Sequence, residues 1–252
     1  MRQLLKLQKS YGVDILRGKT LYAGKCMLDL FDNNLISYQY RQHEAQLNLS
    51  LQEQGWSQIH LLHSNCCPCQ NKDLKPLDQN YSKIKLATVA MLCDRDYNFL
   101  LTRRHSQMKT FPKSWVFPGG MVEGQQNLES ECLREVQEET GLDVLPILDK
   151  MELKVMYESI YPTKLEDNQY PIKQTLCMFY EVKINQSYQN VTVKMQEYEV
   201  DDYKWVSKKQ MLQIMNEQTK DHSFLEIAGI YPNSYGSGIG EGHVKAFLHC
   251  YA

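Results

Sequence analysis

Gly119-Gly120-Met121-Val122-Glu123-Gly124-Gln125-Gln126, followed by Arg134-Glu135-Val136-Gln137-Glu138-Glu139-Thr140-Gly141-Leu142, sets a glycine turn ahead of a short, heavily acidic helix. Asn127 supplies an N-cap and Gly141 a C′ residue, which predicts a helix over 128–140. At about 100° per residue, Cys132, Leu133, Val136 and Thr140 share a stripe that should face a core. Glu131, Glu135, Glu138 and Glu139 fall on another arc. Glu131/Glu135 and Glu135/Glu139 are i,i+4 pairs and Glu135/Glu138 is an i,i+3 pair, each costing about 0.2–0.5 kcal/mol as like charges. Glu138 and Glu139 also occupy the last turn, where the helix dipole disfavours negative charge. A bound cation reverses the sign of all these terms. The competing reading is a solvated acidic face, which charge runs usually are. The preceding residues favour the cation. Phe117-Pro118-Gly119-Gly120 ends a strand in a tight turn, and Gly120 lets a backbone carbonyl approach a metal or phosphate closely. Arg134 is placed to hold a neighbouring carboxylate in one rotamer.

These residues resemble the Nudix box, G-x5-E-x7-R-E-U-x-E-E-x-G-U with U aliphatic, of hydrolases that cleave nucleoside diphosphates linked to another moiety. Gly120 opens the box, and Arg134, Glu135, Val136, Glu138, Glu139, Gly141 and Leu142 fill its later positions. The first Glu of the pattern falls on Gln126, which accepts a hydrogen bond but brings no charge; Glu123, in the same turn, is a partial substitute. The resemblance implies an α/β/α sandwich around a mixed β-sheet over about residues 84–218. It implies Mg²⁺ or Mn²⁺ held by Glu135, Glu138, Glu139 and the carbonyl of Gly120, with Arg134 keeping the carboxylates in register. A late glutamate ahead of a tryptophan-bearing strand often serves such enzymes as an extra ligand or general base. Glu199, six residues before Trp205, fits that place better than Glu197. Leu100-Leu101-Thr102-Arg103-Arg104, Trp115, Pro118-Gly119-Gly120 and Glu158-Ser159-Ile160-Tyr161-Pro162 look like the Nudix subgroup called moiety X motif 17. That subgroup also carries an amino-terminal extension, and it implies pyrophosphatase chemistry, with mRNA decapping as the suggested activity. A coenzyme A subgroup shares the two ends of this stretch, but Lys109, Pro112 and Lys113-Ser114 do not reproduce its Arg, His and Gly spacing.

Composition sets bounds. At 252 residues and 42% hydrophobic, the chain suits such a domain plus an extension. A net charge of −2 gives no footprint for long nucleic acid. No run of about 18 apolar residues predicts a membrane span, and no apolar segment near the start predicts secretion. Eight cysteines without a secretory signal suggest reduced thiols and a cytoplasmic protein. The basic start, with Arg2, Lys6, Lys9, Arg17, Lys19 and Lys25 against Asp14, makes mitochondrial import the alternative.

Along the chain, residues 1–70 read as a small β-rich unit, with candidate strands over 21–30, 35–40, 46–51 and 58–63 and a turn at 32–34. A linker rich in turn formers covers 71–83. The continuous apolar run 86–93 reads as a buried strand, returned by 98–103 through Asp94-Arg95-Asp96. Further strands are expected over 115–117, 151–159, 174–184 and 199–206, a helix over 208–218, and a glycine-rich C-terminal tail over 219–252 with a short apolar end at 244–248. Mixed strands and helices in this order imply an α/β fold.

Three other groups carry candidate chemistry. Arg103 and Arg104 follow a strand that should end near the glycine turn, where a guanidinium matches phosphate oxygens; the alternative is a surface pair, or one arginine bound to Glu158. Trp115 is a candidate for base stacking, for a site wall, or for core packing, the usual fate of tryptophan. His60, His63, Cys66 and Cys69, with Cys67 between, have zinc-ligand chemistry. A tetrahedral site normally draws on two separated segments, and no partner pair follows. The expected substrate is a nucleotide or dinucleotide, with a capped RNA end as the specific suggestion.

The departure at position 126 is directly testable. Gln126→Glu is expected to raise activity or divalent-metal affinity in a turnover assay titrated with Mg²⁺, whereas a drop would mean that this chain uses the amide itself.

Overall fold

A computed structural model describes residues 4–8, 12–16, 26, 35–41, 46–50, 54–64, 67, 69, 85–123, 127–166, 171, 173–216, 230 and 238–252. The expected turn at 32–34, the linker at 71–83, Cys66, Gln126 and all but Cys26 of the expected strand over 21–30 lie outside them. The chain forms two compact units: Met1–Ala87, Met121–Glu131 and Lys154–Met178 make one, and Thr88–Gly120, Cys132–Leu153 and Phe179–Ala252 the other. Strands and helices combine in a mixed-sheet α/β architecture, as the sequence predicts.

In the first unit the strands are β1 (Leu4–Gln8), β2 (Gly12–Leu16), β3 (Leu35–Arg41), β4 (Gln46–Ser50) and β5 (Ser57–His63). They pair antiparallel in the order β5-β3-β4-β1-β2. β5 alternates burial from Gln58 to Leu61, with Ile59 and Leu61 inward and Gln58 and His60 outward, the period of a half-buried strand.

The second unit holds most of β6 (Lys85–Cys93), with β7 (Asn98–Arg104), β8 (Trp115–Val116), most of β9 (Gly119–Met121) and most of helix α1 (Leu128–Thr140). β10 (Leu148–Tyr161) and β11 (Lys173–Ile184) contribute to both units. β10 runs parallel to β5 in the first, with Glu158 opposite His63. β12 (Val200–Ser207), helix α2 (Lys208–Asn216) and helix α3 (Glu241–Tyr251) complete the second.

β6 is buried from Leu86 through Cys93, which explains its uninterrupted apolar run. The turn into β7 is fixed by Asp94, whose Oδ1 accepts the backbone N–H of Asp96 and of Asn98 at 2.9 and 2.8 Å. β7 pairs antiparallel with β12 on one side and with β8 on the other.

Helix α3 stands where the sequence suggested only a tail with a short apolar end. Val244, Ala246 and Phe247 are buried. Phe247 meets Phe99 edge-on at 5.0 Å and stacks on Phe117 at 6.1 Å. His243 Nδ1 accepts the Phe117 N–H at 3.1 Å, so that nitrogen carries no proton. Among the described residues, no helix is long and apolar enough to cross a membrane.

Burial, and after it the charge of Arg104, pushes His243 down to about 3. The folded chain thus keeps this ring neutral where an unfolded histidine, with a pKa of about 6.5, takes a proton. Its contribution to stability is complete above about pH 6.5 and is lost as pH falls from there toward the folded value. His243→Asn, whose amide oxygen can still accept the Phe117 N–H, is expected to lose less stability than wild type between about pH 7 and 5, measured as the urea midpoint of each protein.

Candidate active site

Helix α1 begins and ends where its local signals place it. Asn127 Oδ1 accepts the Ser130 N–H at 2.7 Å. At the other end Gly141 takes φ +68, and its N–H returns to the Gln137 carbonyl at 2.8 Å. Of the stripe, Cys132, Val136 and Thr140 are fully buried, while Leu133 is half-buried. The acidic arc is not a solvated face. Glu131 is buried, and Glu135 and Glu139 are only 8% and 4% exposed. Glu138 alone of the four is exposed.

The glycine turn explains how two of these carboxylates fit. A Cβ on Gly120 would meet the Glu135 carboxyl, with Cδ at 2.5 Å, so the missing side chain is the space that Glu135 fills. A Cβ on Gly119 would run into the Thr88 carbonyl and come within 2.8 Å of Val89 Cα, so β9 lies directly on β6. The Gly119 N–H donates to Glu139, and the Thr102 hydroxyl donates to Glu139 Oε2 at 3.4 Å. Arg134 binds two carboxylates at once, Glu135 through Nη2 and Glu138 through Nη1 at 2.7 Å. Glu123, considered as a stand-in for the missing box glutamate, has an exposed side chain, and its backbone N–H reaches Glu131 Oε2 at 3.4 Å.

The electrostatics follow from burial. Glu135 is pushed up to about 7 by desolvation, with Arg134 opposing and Glu138 and Glu199 adding to the rise. Glu139 is pushed up to about 8, again by desolvation first, against Arg104 and with the help of Glu135 and Glu199. Arg104 is lowered by burial while Glu139 and Glu199 support its charge. These four side chains therefore share one field.

Backbone contacts bring Glu199 into that field. The Lys194 and Gln196 N–H groups cap the last carbonyls of α1, at Thr140 (2.7 Å) and Glu139 (3.1 Å). The Glu199 carbonyl then accepts the His105 N–H at 2.8 Å, just beyond Arg104. Glu199 is exposed, as is Glu197.

Two expectations need correction. Only one of Arg103 and Arg104 can face the carboxylates, because neighbours on a strand point to opposite faces. Arg103 pairs with Asp201 Oδ1 at 2.5 Å and with Asp202 Oδ2 at 3.6 Å, not with Glu158. A register shift between Val200 and Asp202 accompanies the Asp201 contact. Arg104 is the arginine on the carboxylate side, its Nε held by the Thr110 carbonyl at 3.1 Å. Trp115 was a candidate stacking surface for a base, but it is 1% exposed. The cations of Arg103 and Lys204 lie 5.5 and 5.6 Å from its ring centre, so it packs in the core.

Thr102, Asp201 and His243 were not singled out in the sequence. Thr102 sits within the Leu100-Leu101-Thr102 stretch, and strand alternation from a buried Leu100 would have pointed it inward. No local signal marks Asp201 or His243.

The chain is similar to the m7GpppN-mRNA hydrolase NUDT17 of Danio rerio, 39% identical over 82 residues, covering 32% of this chain and 27% of that protein. It is similar to the m7GpppN-mRNA hydrolase NUDT17 of Xenopus laevis, 28% identical over 160 residues, covering 60% of this chain and 53% of that protein. The chain thus spans between about a quarter and about a half of these relatives. Among solved structures it is similar to the NUDIX domain of Shewanella oneidensis NrtR complexed with ADP ribose, 16% identical with a TM-score of 0.45, covering 71% of this chain and 92% of that one. The family model of the NUDIX domain matches residues 83–226, more than half of the 252 residues and all of the glycine turn and glutamate helix, and the chain belongs to the Nudix family.

Proposed function

We propose that this chain is a hydrolase that cleaves a phosphoanhydride in a nucleoside diphosphate linked to another moiety, with Mg²⁺ or Mn²⁺ as cofactor. One observation carries the reading: Glu135 and Glu139, one helix turn apart, are both buried against a turn of two glycines. Burial of two acids in one field favours their protonated forms unless positive charge joins them. Glu135, Glu138, Glu139 and the Gly120 carbonyl offer oxygen donors, the set that suits a small hard cation. When bound there, Mg²⁺ or Mn²⁺ lowers the pKa of a water and offsets charge on the phosphate.

The chain's own residues supply the rest. Arg134 holds Glu135 and Glu138 in fixed rotamers. Thr102 and the Gly119 N–H orient Glu139. Glu199, exposed within the same field, takes the proton from the attacking water. Arg104 offers its guanidinium to a phosphate oxygen. Little covalent work falls to the protein, because this chemistry is mostly positioning and electrostatics.

For the substrate, we favour a 5′-capped RNA end. The activity for which the relatives from Danio rerio and Xenopus laevis are named, and the resemblance of residues 89–206 to the same subgroup, support it. A second reading, a Nudix fold that binds a nucleotide without cleaving it, rests on Gln126. The buried carboxylates weigh against it, since a site freed from catalysis would shed them.

Glu139→Gln is expected to reduce Mg²⁺-dependent turnover by about 100-fold or more. It should leave the melting temperature equal or higher, because a neutral amide replaces a buried acid. Wild-type turnover in that variant would remove Glu139 from the site. A panel of capped RNA, coenzyme A, ADP-ribose, NADH and diadenosine polyphosphates with each metal ranks substrates; release from none of them would favour the binding module.

Gly120→Ala separates the metal site from the fold. The new methyl meets the far end of a flexible side chain, so Glu135 moves while the backbone stays. The expected result is a near-wild-type melting temperature with Mn²⁺ affinity weakened by about 10-fold or more, read by calorimetric titration.

A further inference from the structure

A second cluster of metal-ligand side chains lies in the first unit, among residues that the proposed hydrolysis does not use. Cys26, His63 and Cys67 place one ligand atom each so that all lie within 4.8 Å of one another. Cys26 Sγ is 3.5 Å from His63 Nε2. The thiols of Cys26 and Cys67 are in hydrogen-bond contact, as are those of Cys67 and Cys69. All three cysteines are buried and free of disulfides.

The imidazole is already turned for a ligand's role. His63 Nδ1 lies 2.5 Å from the Ser64 carbonyl. A carbonyl only accepts, so Nδ1 carries the proton and Nε2 presents its lone pair toward Cys26. A backbone carbonyl on the other ring nitrogen is the usual outer support of a metal-bound histidine. The same Ser64 carbonyl accepts the Cys67 N–H at 3.2 Å, which folds the chain so that His63 and Cys67 converge.

We propose that Cys26, His63 and Cys67 hold a structural zinc, with Cys69, whose thiol contacts that of Cys67, completing the set as fourth ligand. The four supply three thiolates and one imidazole, a closed tetrahedral set. The spacing is His63-x3-Cys67-x-Cys69, with Cys26 37 residues before His63. Cys26 is the separated segment that the sequence around 60–69 lacked on its own. His60 is excluded by geometry: three residues apart on strand β5, His60 and His63 point to opposite faces, and His60 is exposed.

Packing of thiols as small hydrophobic groups is the ordinary alternative. Ile160 and Leu165 do cover the cluster. An apolar cluster, however, has no use for an imidazole nitrogen or for a buried carboxylate, and both are present. Glu158 Oε2 is 3.8 Å from Cys26 Sγ, while its Oε1 accepts the Gln174 amide at 2.6 Å. That bond to Gln174 anchors Glu158 behind Cys26, outside the four ligands. Binding zinc displaces the thiol protons to solvent, and the free energy of binding is added to the stability of the unit that holds the ligands.

The test uses the full chain, expressed in zinc-supplemented medium and purified without chelators under reducing conditions. Plasma mass spectrometry is expected to find one zinc per chain. Exchange for Co²⁺ should give tetrahedral d–d absorption with a thiolate-to-metal charge-transfer band, which an all-oxygen glutamate site does not produce. Cys26→Ser and Cys67→Ser should each weaken zinc binding by at least 10-fold and diminish that band, while Cys250→Ser and the Glu135→Gln/Glu139→Gln double variant keep the metal. The cobalt spectrum of the unaltered chain stands even if a cysteine variant fails to fold. Zinc no higher than the buffer blank, a Cys26–Cys67 disulfide in the peptide map of protein purified without reductant, an iron–sulfur chromophore, or zinc lost with the glutamates but kept in Cys26→Ser would each overturn the site.

Discussion

Two carboxylates buried side by side on one helix are the constraint around which the second unit is arranged. Glu135 and Glu139 cannot sit at 8% and 4% exposure without partners, because an ionised acid in low dielectric must be matched or neutralised. Each partner is a specific device. Gly120 yields the space of a side chain to Glu135. Arg134 crosses back over the helix surface to Glu135 and Glu138. Thr102 and the Gly119 N–H meet Glu139, and Arg104 adds a guanidinium charge. The metal ion proposed for this site would add the positive charge that these partners do not fully supply.

The devices work only if the glycine turn and the helix hold their relative places. The segment before the turn is fastened by the C-terminal region. The Trp115 N–H reaches the Gly238 carbonyl at 2.6 Å, and the Gly240 N–H reaches the Trp115 carbonyl at 3.0 Å. His243 takes the Phe117 N–H, and Phe247 packs between Phe99 and Phe117. On the other flank, Arg104 and Ser114 pair through the backbone at 3.0 Å. That pairing sets the end of β7, and with it the one arginine that faces the carboxylates.

What was legible in the sequence was local. The bounds of α1 follow from an N-cap, a C′ glycine and a helical period, all carried within a few residues of the elements they define. β6 was legible because a strand buried on both faces is apolar throughout. The choice between Arg103 and Arg104 was not, since it depends on a bulge near Asp201 about a hundred residues away in the chain. Trp115 left core and site open for the same reason: its cover is made by Arg103 and Lys204, on other strands. Helix α3 is short and follows a glycine-rich stretch, and its apolar residues acquire meaning only against Phe99 and Phe117. The thiol cluster was half visible: His63, Cys67 and Cys69 share a segment, but Cys26 joins them only through the fold.

Donor chemistry keeps the two metal assignments distinct. The glutamate helix presents hard oxygen donors, one of them, Glu138, still open to water, as a site that must admit a hydrated ion and a phosphate requires. The thiol cluster presents soft sulfur and one oriented imidazole under an apolar cover of Ile160 and Leu165, as a closed site that excludes water requires. Exchangeable Mg²⁺ or Mn²⁺ gains little from sulfur, and a catalytic ion gains nothing from being sealed. Zinc, by contrast, binds thiolate tightly and would be held too firmly to turn over if it were placed among groups meant to release a product. Ligand type alone therefore separates the ion proposed for hydrolysis from the ion proposed to hold the chain together.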